Sequence, residues 1–151
     1  MHAPMYGLLI LSTLGFLACG GDSGTNPGGG EGGDGGGTGG GRVVKADPSY
    51  AGDIQEIWNR RGCTGSQCHG SAQQGALDLR DGNSHAALVS VVATAENVVR
   101  VIPGNAEDSY LVIKLEGRQN VGDQMPQSMA PLDSIDLTNV RNWIDQGAEN
   151  N

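Results

Sequence analysis

Basic residues, aromatic residues and recognisable catalytic motifs are all scarce in this sequence. Only 9 Lys and Arg residues stand against 17 Asp and Glu, which gives a formal net charge of −8. Without a basic cluster the chain has no means of neutralising phosphates, so nucleic acid is excluded as an expected partner. The sequence contains no paired-carboxylate site, P-loop or dinucleotide fingerprint. We therefore expect a protein that is not an enzyme and that has an acidic, well-solvated surface.

The N-terminal apolar run is too short to span a bilayer comfortably. It extends from Tyr6 to Ala18 and is typical of a signal-peptide core. The segment Phe16-Leu-Ala-Cys19 resembles the bacterial lipobox, in which the cysteine is lipidated and becomes the new N-terminus. We expect residues 1–18 to be a lipoprotein-type signal peptide and Cys19 to carry the lipid. An ordinary secretory peptide or an uncleaved anchor is the alternative.

Two further expectations follow for the anchored chain. Gly20 after the cysteine is compatible with sorting to the outer membrane, so the resemblance implies its periplasmic or cell-surface side. Residues 19–41 hold the lipidation cysteine and then mostly glycine, with no apolar residue other than Pro27. Such a segment cannot bury enough apolar surface to offset its ordering entropy, which predicts a flexible tether. Residues 42–151 are enough for one compact domain and not for two.

Hydrophobic periodicity predicts that this domain is mostly α-helical. Helices are predicted over residues 49–61, 85–92, 105–117 and 133–147, with an extended segment at 98–102 and a loop at 118–132. Asn105 and Asp133 are the expected N-caps of the last two helices, and Gly117 and Gly147 the residues that end them. The first helix leads the chain directly into a pair of cysteines.

Two thiols and an imidazole follow that helix closely. Four residues separate Cys63 from Cys68, and His69 comes next. Thiols beside a histidine attach a c-type haem: they add to its vinyl groups while the imidazole ligates the iron, usually in the motif C-x-x-C-H. Gly65 and Ser66 can bulge outward, so that both sulfurs reach one porphyrin edge. The alternatives are a Cys63–Cys68 disulfide and a zinc or copper site, for which these ligands form a poor tetrahedral set.

The loop before the last helix contains two methionines. Met125 is followed directly by a proline, and Met129 lies two residues before Pro131. A haem iron bound by histidine on one face takes a second ligand or stays open on the other, and a thioether from a proline-stiffened loop can supply that ligand. The alternative is that both methionines only fill gaps in the core. We expect axial ligation.

Several blocks of the globular part resemble the small single-haem cytochrome c domains of Planctomycete-type and related bacterial cytochromes. The resemblance covers essentially all of residues 42–148, and that family includes cysteine loops with four intervening residues. The matching blocks are, in order, Cys68-His69-Gly70, Gly75-Ala-Leu-Asp-Leu79, Val101-Ile-Pro-Gly-Asn105 with Ser109-Tyr-Leu-Val-Ile-Lys-Leu115, Met125-Pro126 and Trp143-Ile-Asp-Gln-Gly-Ala148.

The resemblance implies a cytochrome c-like helical domain around one covalent haem c. Cys63 and Cys68 would form the thioethers, and His69 would be the proximal iron ligand. Met125 would be the distal ligand, because the family's methionine precedes a proline; Met129 is the second choice, and a bis-histidine site with His85 is a remote alternative. The haem would supply much of the core that the few aromatic residues leave unfilled. The expected lining of its pocket is Leu77, Leu79, Leu88, Tyr110, Leu111 and Trp143.

The function implied is the transfer of single electrons to and from redox proteins by a membrane-anchored, His/Met-ligated monohaem cytochrome. The alternative is a haem-free lipoprotein that binds a protein or polysaccharide partner and is cross-linked by a Cys63–Cys68 disulfide. The two differ in visible absorbance, since only the first carries a chromophore.

Overall fold

The computed structural model describes residues 41–151; the predicted signal peptide, Cys19 and residues 20–40 of the tether lie outside the described residues. Helices account for 34% of the structure and strand for 5%, which confirms a mostly helical class. The α-helices are α1 (Gln55–Arg60), α2 (Ser84–Leu88), α3 (Tyr110–Glu116) and α4 (Ser134–Asp145). A π-helical turn at Tyr50–Ile54 precedes α1, and a 3₁₀ turn spans Gln74–Ala76. Within the described range, none of the helices has the length and apolar character needed to cross a membrane.

The caps at Asp133 and Gly117 are confirmed. The Asp133 carboxylate accepts a hydrogen bond from the backbone N–H of Asp136 (3.0 Å) at the start of α4. Gly117 ends α3 with a left-handed backbone, φ 75°, which glycine adopts without steric penalty.

The predicted cap at Asn105 is wrong, because α3 begins at Tyr110 with Ser109 as its N-cap. The Ser109 hydroxyl donates to Asn105 O (2.7 Å) and accepts from Ile102 N (2.9 Å). These bonds close residues 102–109 into a loop, so the helix cannot begin until the loop ends.

The second predicted helix is shorter than its apolar run suggests. It ends at Leu88, because Val89 pairs with Val101 in a parallel bridge and Val92 with Val99 in an antiparallel one. β-branched side chains favour extended backbone, so the second half of the run joins the extended segment at 98–102. That segment has the character predicted for it.

The core lies between the first helical segment, α3 and α4. The turn at Tyr50–Ile54 packs against both α1 and α4, and α3 packs against α4. The C-terminus closes this arrangement, since Asn151 accepts hydrogen bonds from the backbone N–H groups of Tyr50 (2.8 Å) and Ala51 (2.9 Å). The largest fully buried side chains are Trp58, Trp143, Ile54, Leu88, Ile144, Val101, Val112 and Val140.

A buried carboxylate joins α4 to the start of the domain. Asp136 is only 1% exposed, and its Oδ1 accepts from Arg60 (2.8 Å) and from Arg42 (3.0 Å). Burying a charge is unfavourable unless opposite charges and hydrogen bonds compensate for it. The two guanidinium groups supply that compensation and hold residue 42 against the N-terminus of α4.

Replacing Asp136 with asparagine should lower the free energy of unfolding by about 2 kcal/mol, because the amide leaves two guanidinium groups without their shared charge partner. Denaturant unfolding followed by circular dichroism measures the change. Asp81→Asn is the control: Asp81 is exposed, and an exposed substitution of this kind changes stability by less than about 0.5 kcal/mol. Equal unfolding midpoints for the two variants would contradict the role given to Asp136.

Candidate functional site

One cavity brings together the two cysteines, the adjacent histidine and the two methionines of the predicted haem site. It has a volume of about 500 Å³, and its lining includes Cys63, Cys68, His69, Met125 and Met129. This volume lies within the range of roughly 300–1,000 Å³ that small-molecule and cofactor sites occupy. Residues from the cysteine loop and from the methionine loop, about sixty positions apart in the chain, therefore meet at a single site.

The rest of the lining is mainly apolar, as a porphyrin would require. The predicted residues Leu77, Leu79, Leu88, Tyr110 and Leu111 all line the cavity. The prediction for Trp143 is wrong, since its ring packs 5.0 Å from that of Tyr50 in the core and its N–H donates to Glu149 O (2.9 Å). Trp58 of α1 lines the cavity instead. Both tryptophans belong to apolar helical faces, and periodicity alone does not say which face meets a ligand.

The cysteine loop is closed by main-chain hydrogen bonds. The N–H of His69 donates to Cys63 O (3.1 Å), and those of Cys68 and Gly70 donate to Gly65 O (2.9 and 3.1 Å). Gly70 packs so closely that a Cβ there would lie 2.7 Å from Gly65 O and overlap Thr64 O. Four intervening residues thus fold into a compact turn that brings both cysteines and His69 to the same cavity.

His69 is held in one orientation by the backbone. Its Nδ1 lies 2.8 Å from the carbonyl oxygen of Gln74. A carbonyl can only accept, so Nδ1 carries the proton and Nε2 keeps its lone pair. Burial lowers the pKa of His69, against a smaller opposing effect of the Gln74 carbonyl. A neutral imidazole with a backbone partner at Nδ1 is the form that ligates metals.

Cys63 is not joined to the second cysteine of the loop. It is a free, half-buried thiol, and burial raises its pKa to about 11. Cys63 is therefore protonated at neutral pH and unsuited to nucleophilic catalysis. Because Cys63 is free, the Cys63–Cys68 disulfide of the alternative interpretation is not formed in the described structure.

The methionine loop is fastened at both ends. The backbone N–H of Met125 donates to Lys114 O (2.9 Å) on α3, and Arg61 Nη2 donates to Ala130 O (2.5 Å) and Pro131 O (3.0 Å). Met125 packs against the core cluster, whereas Met129 is 42% exposed. A ligand fixed by its backbone and by packing is the better positioned of the two, which favours Met125 over Met129.

His85 lies away from the cavity. Its Nε2 is 2.8 Å from Ala148 O, and its ring packs edge-on against Tyr50 (4.9 Å) and Trp143 (6.0 Å). It is not among the residues that line the cavity. These contacts give His85 a structural role and weigh against a bis-histidine site.

The basic residues that line this cavity were not predicted from the sequence. Arg61, Arg100 and Lys114 all line the cavity. Arg100 and Lys114 are isolated basic residues in an extended segment and in α3, and Arg61 follows Arg60 at the end of α1, so their spacing forms no recognisable motif. One indication of these cations was available in the sequence, namely the single charged residue Arg100 among the β-branched residues of segment 98–102. A charged side chain that faces inward from such a segment requires a partner.

No protein-family model matches this chain, and no curated protein or solved structure matches it either. The chemistry of the cavity is therefore what bears on the function of this protein. Across residues 41–151 there is no group of three His, Cys, Asp or Glu side chains that could hold a bare metal ion. A haem iron needs no such group, because the porphyrin supplies its equatorial ligands and the protein only the axial ones.

Proposed function

We propose that this protein is a membrane-anchored monohaem c-type cytochrome that transfers electrons. The observation that carries the proposal is the convergence of Cys63, Cys68, His69 and Met125 on one largely apolar cavity of about 500 Å³. Each of these residue types supplies a bond that a c-type haem uses, namely two thioethers, an imidazole nitrogen and a thioether sulfur.

The donor set fits the group in its details. Cys63 and Cys68 would attach the porphyrin, His69 would ligate the iron through Nε2, and Met125 would provide the opposite axial ligand. Bound there, a haem would take up and release a single electron. The Gln74 carbonyl would increase the donor strength of the His69 ring, while a thioether opposite histidine raises the reduction potential relative to two histidines.

Electron transfer is favoured over catalysis by the number of ligands. If both His69 and Met125 were to ligate the iron, no coordination site would remain for a substrate. The protonated Cys63 thiol offers no nucleophile. Val121 (50% exposed) and Met129 (42% exposed) both line the cavity, so they would offer apolar contacts to a redox partner protein that docks there.

The anchor belongs to the same proposal. Lipid on Cys19 would hold the protein at the outer membrane, on its periplasmic or cell-surface side. A glycine-rich chain of about 22 residues has an r.m.s. span of roughly 25 Å. The domain would then reach redox partners at some distance from the bilayer.

The proposal is tested by expressing the full chain in a host with a periplasmic haem-attachment system. After acid–acetone extraction, the pyridine haemochrome of the protein should show a c-type α-band, because thioether-linked haem stays with the polypeptide. The variant C63S/C68S should lose this band. A colourless wild-type protein from a host that matures other c-type cytochromes would contradict the proposal and favour a haem-free binding module.

A further inference from the structure

Arg100 brings a buried positive charge to the cavity. The residue is 6% exposed and belongs to the cavity lining. Its Nη1 donates to Ala87 O (2.8 Å), and its Nη2 donates to Gly75 O (3.0 Å) and Ala76 O (2.9 Å). A guanidinium has five N–H donors; three are engaged by backbone carbonyls and two remain.

Arg100 has no negative partner in the part of the chain that the structure describes. Arg60, by contrast, lies nearer the surface and still pairs with the carboxylate of Asp136 (2.8 Å). Burial lowers the pKa of Arg100, with no opposing contribution from an acidic side chain. A buried charge without a counter-charge is strongly unfavourable. The missing counter-charge is therefore expected to come from a ligand of the cavity.

Lys114 presents a second cation at the same cavity. Its ammonium group donates to Val121 O (3.2 Å), and burial lowers its pKa, against weaker opposing effects of Glu96 and Asp123. Arg100 and Lys114 both lower the pKa of His69, so both charges act at the position of the proposed iron ligand. Besides Arg61 and the carboxylate of Asp123, the cavity thus combines an apolar lining with the cations Arg100 and Lys114, which suits a flat apolar ligand carrying carboxylates.

We infer that Arg100 binds a propionate carboxylate of the haem, and that Lys114 is the second cation available to the propionates. The inference rests on the proposed function and assigns Arg100 a role in it. The carbonyls of Gly75, Ala76 and Ala87 fix the guanidinium, so it is oriented before the ligand arrives. Pairing neutralises the propionate near the iron, which stabilises the ferrous form relative to an unpaired carboxylate.

The test uses the mature holoprotein with its haem carboxylates labelled with ¹³C. In redox-difference infrared spectra, Arg100→Met should shift the isotope-sensitive propionate band and should lower the reduction potential. Arg100→Lys keeps the charge and should retain most of the wild-type potential. Arg118→Met is the matched control, since Arg118 is exposed and pairs with Glu116 outside the cavity lining. An unchanged propionate band in Arg100→Met would overturn the inference.

A measurement on the wild-type protein covers the case in which the Arg100 variants do not fold. A carboxylate beside a guanidinium has its pKa lowered by about 1–3 units, whereas an unpaired buried carboxylate has it raised. The labelled propionate should therefore stay ionised down to about pH 4. Protonation well above that pH would overturn the inference. The label separates the propionates from His69, Lys114, Tyr110 and Asp123, which also line the cavity. Absence of covalent haem would instead contradict the proposed function.

Discussion

Replacing Met125 with leucine is expected to abolish the long-wavelength charge-transfer band that methionine ligation gives ferric haem, and to let the ferrous protein bind CO. Leucine keeps most of the side-chain volume but offers no sulfur to the iron. The backbone of the loop should stay in place, because Met125 N still donates to Lys114 O and Arg61 still holds Ala130 and Pro131. Absorption spectra with and without CO measure both effects.

Met129→Leu is the matched control for this change. It alters the other methionine of the same loop, which is 42% exposed, and should leave the band and the CO response of the wild-type protein intact. If Met129→Leu removes the band and Met125→Leu does not, the distal ligand has been assigned to the wrong methionine. If neither variant changes the spectrum, methionine ligation itself is contradicted.

Replacing Gly70 with alanine is expected to lower the free energy of unfolding by about 3 kcal/mol and to reduce haem incorporation severely. The added Cβ would overlap the backbone carbonyls of Thr64 and Gly65, which are part of the loop and cannot swing aside as a flexible side chain would. Relief of the overlap requires the loop to open, and this would separate the cysteines from His69. Denaturant unfolding and the haem-to-protein ratio measure the two effects.

Gly41→Ala provides the comparison, because a Cβ at Gly41 meets no atom within 4 Å. It makes the same chemical change at a position without steric conflict and should match the wild-type protein in stability and haem content. Equal behaviour of the two alanine variants would show that the close approach around Gly70 does not hold the loop in shape.

Sequence reasoning located the elements of the site better than it located their boundaries. The cysteine loop, the methionine loop and five of the six expected lining residues were identified from local motifs, and all lie at one cavity. The helix start at Asn105 was placed too early because a capping pattern there serves a closed loop instead. The helix at 85–92 was predicted to be too long, because its valines can belong to a helix or to extended backbone. Only their β-bridge partners in the segment 98–102 decide between the two.

Features that depend on tertiary packing were not available from the sequence. Trp58 and Trp143 are both buried on apolar helical faces, and only tertiary packing decides that Trp58 also lines the cavity whereas Trp143 does not. The buried charge of Arg100 is likewise a property of its surroundings, since three carbonyls from two other segments surround it.

The hydrogen bonds that close the cysteine loop also indicate which of its positions can be substituted. They join backbone atoms, and in the described structure no hydrogen bond uses the side chain of Thr64 or Ser66, neither of which lines the cavity. Substitution at these two positions should therefore be tolerated, while Gly70 and the two cysteines should not vary. A loop whose shape is encoded by main-chain bonds leaves little for sequence comparison to detect, so related chains can diverge at most positions of this loop and keep its geometry.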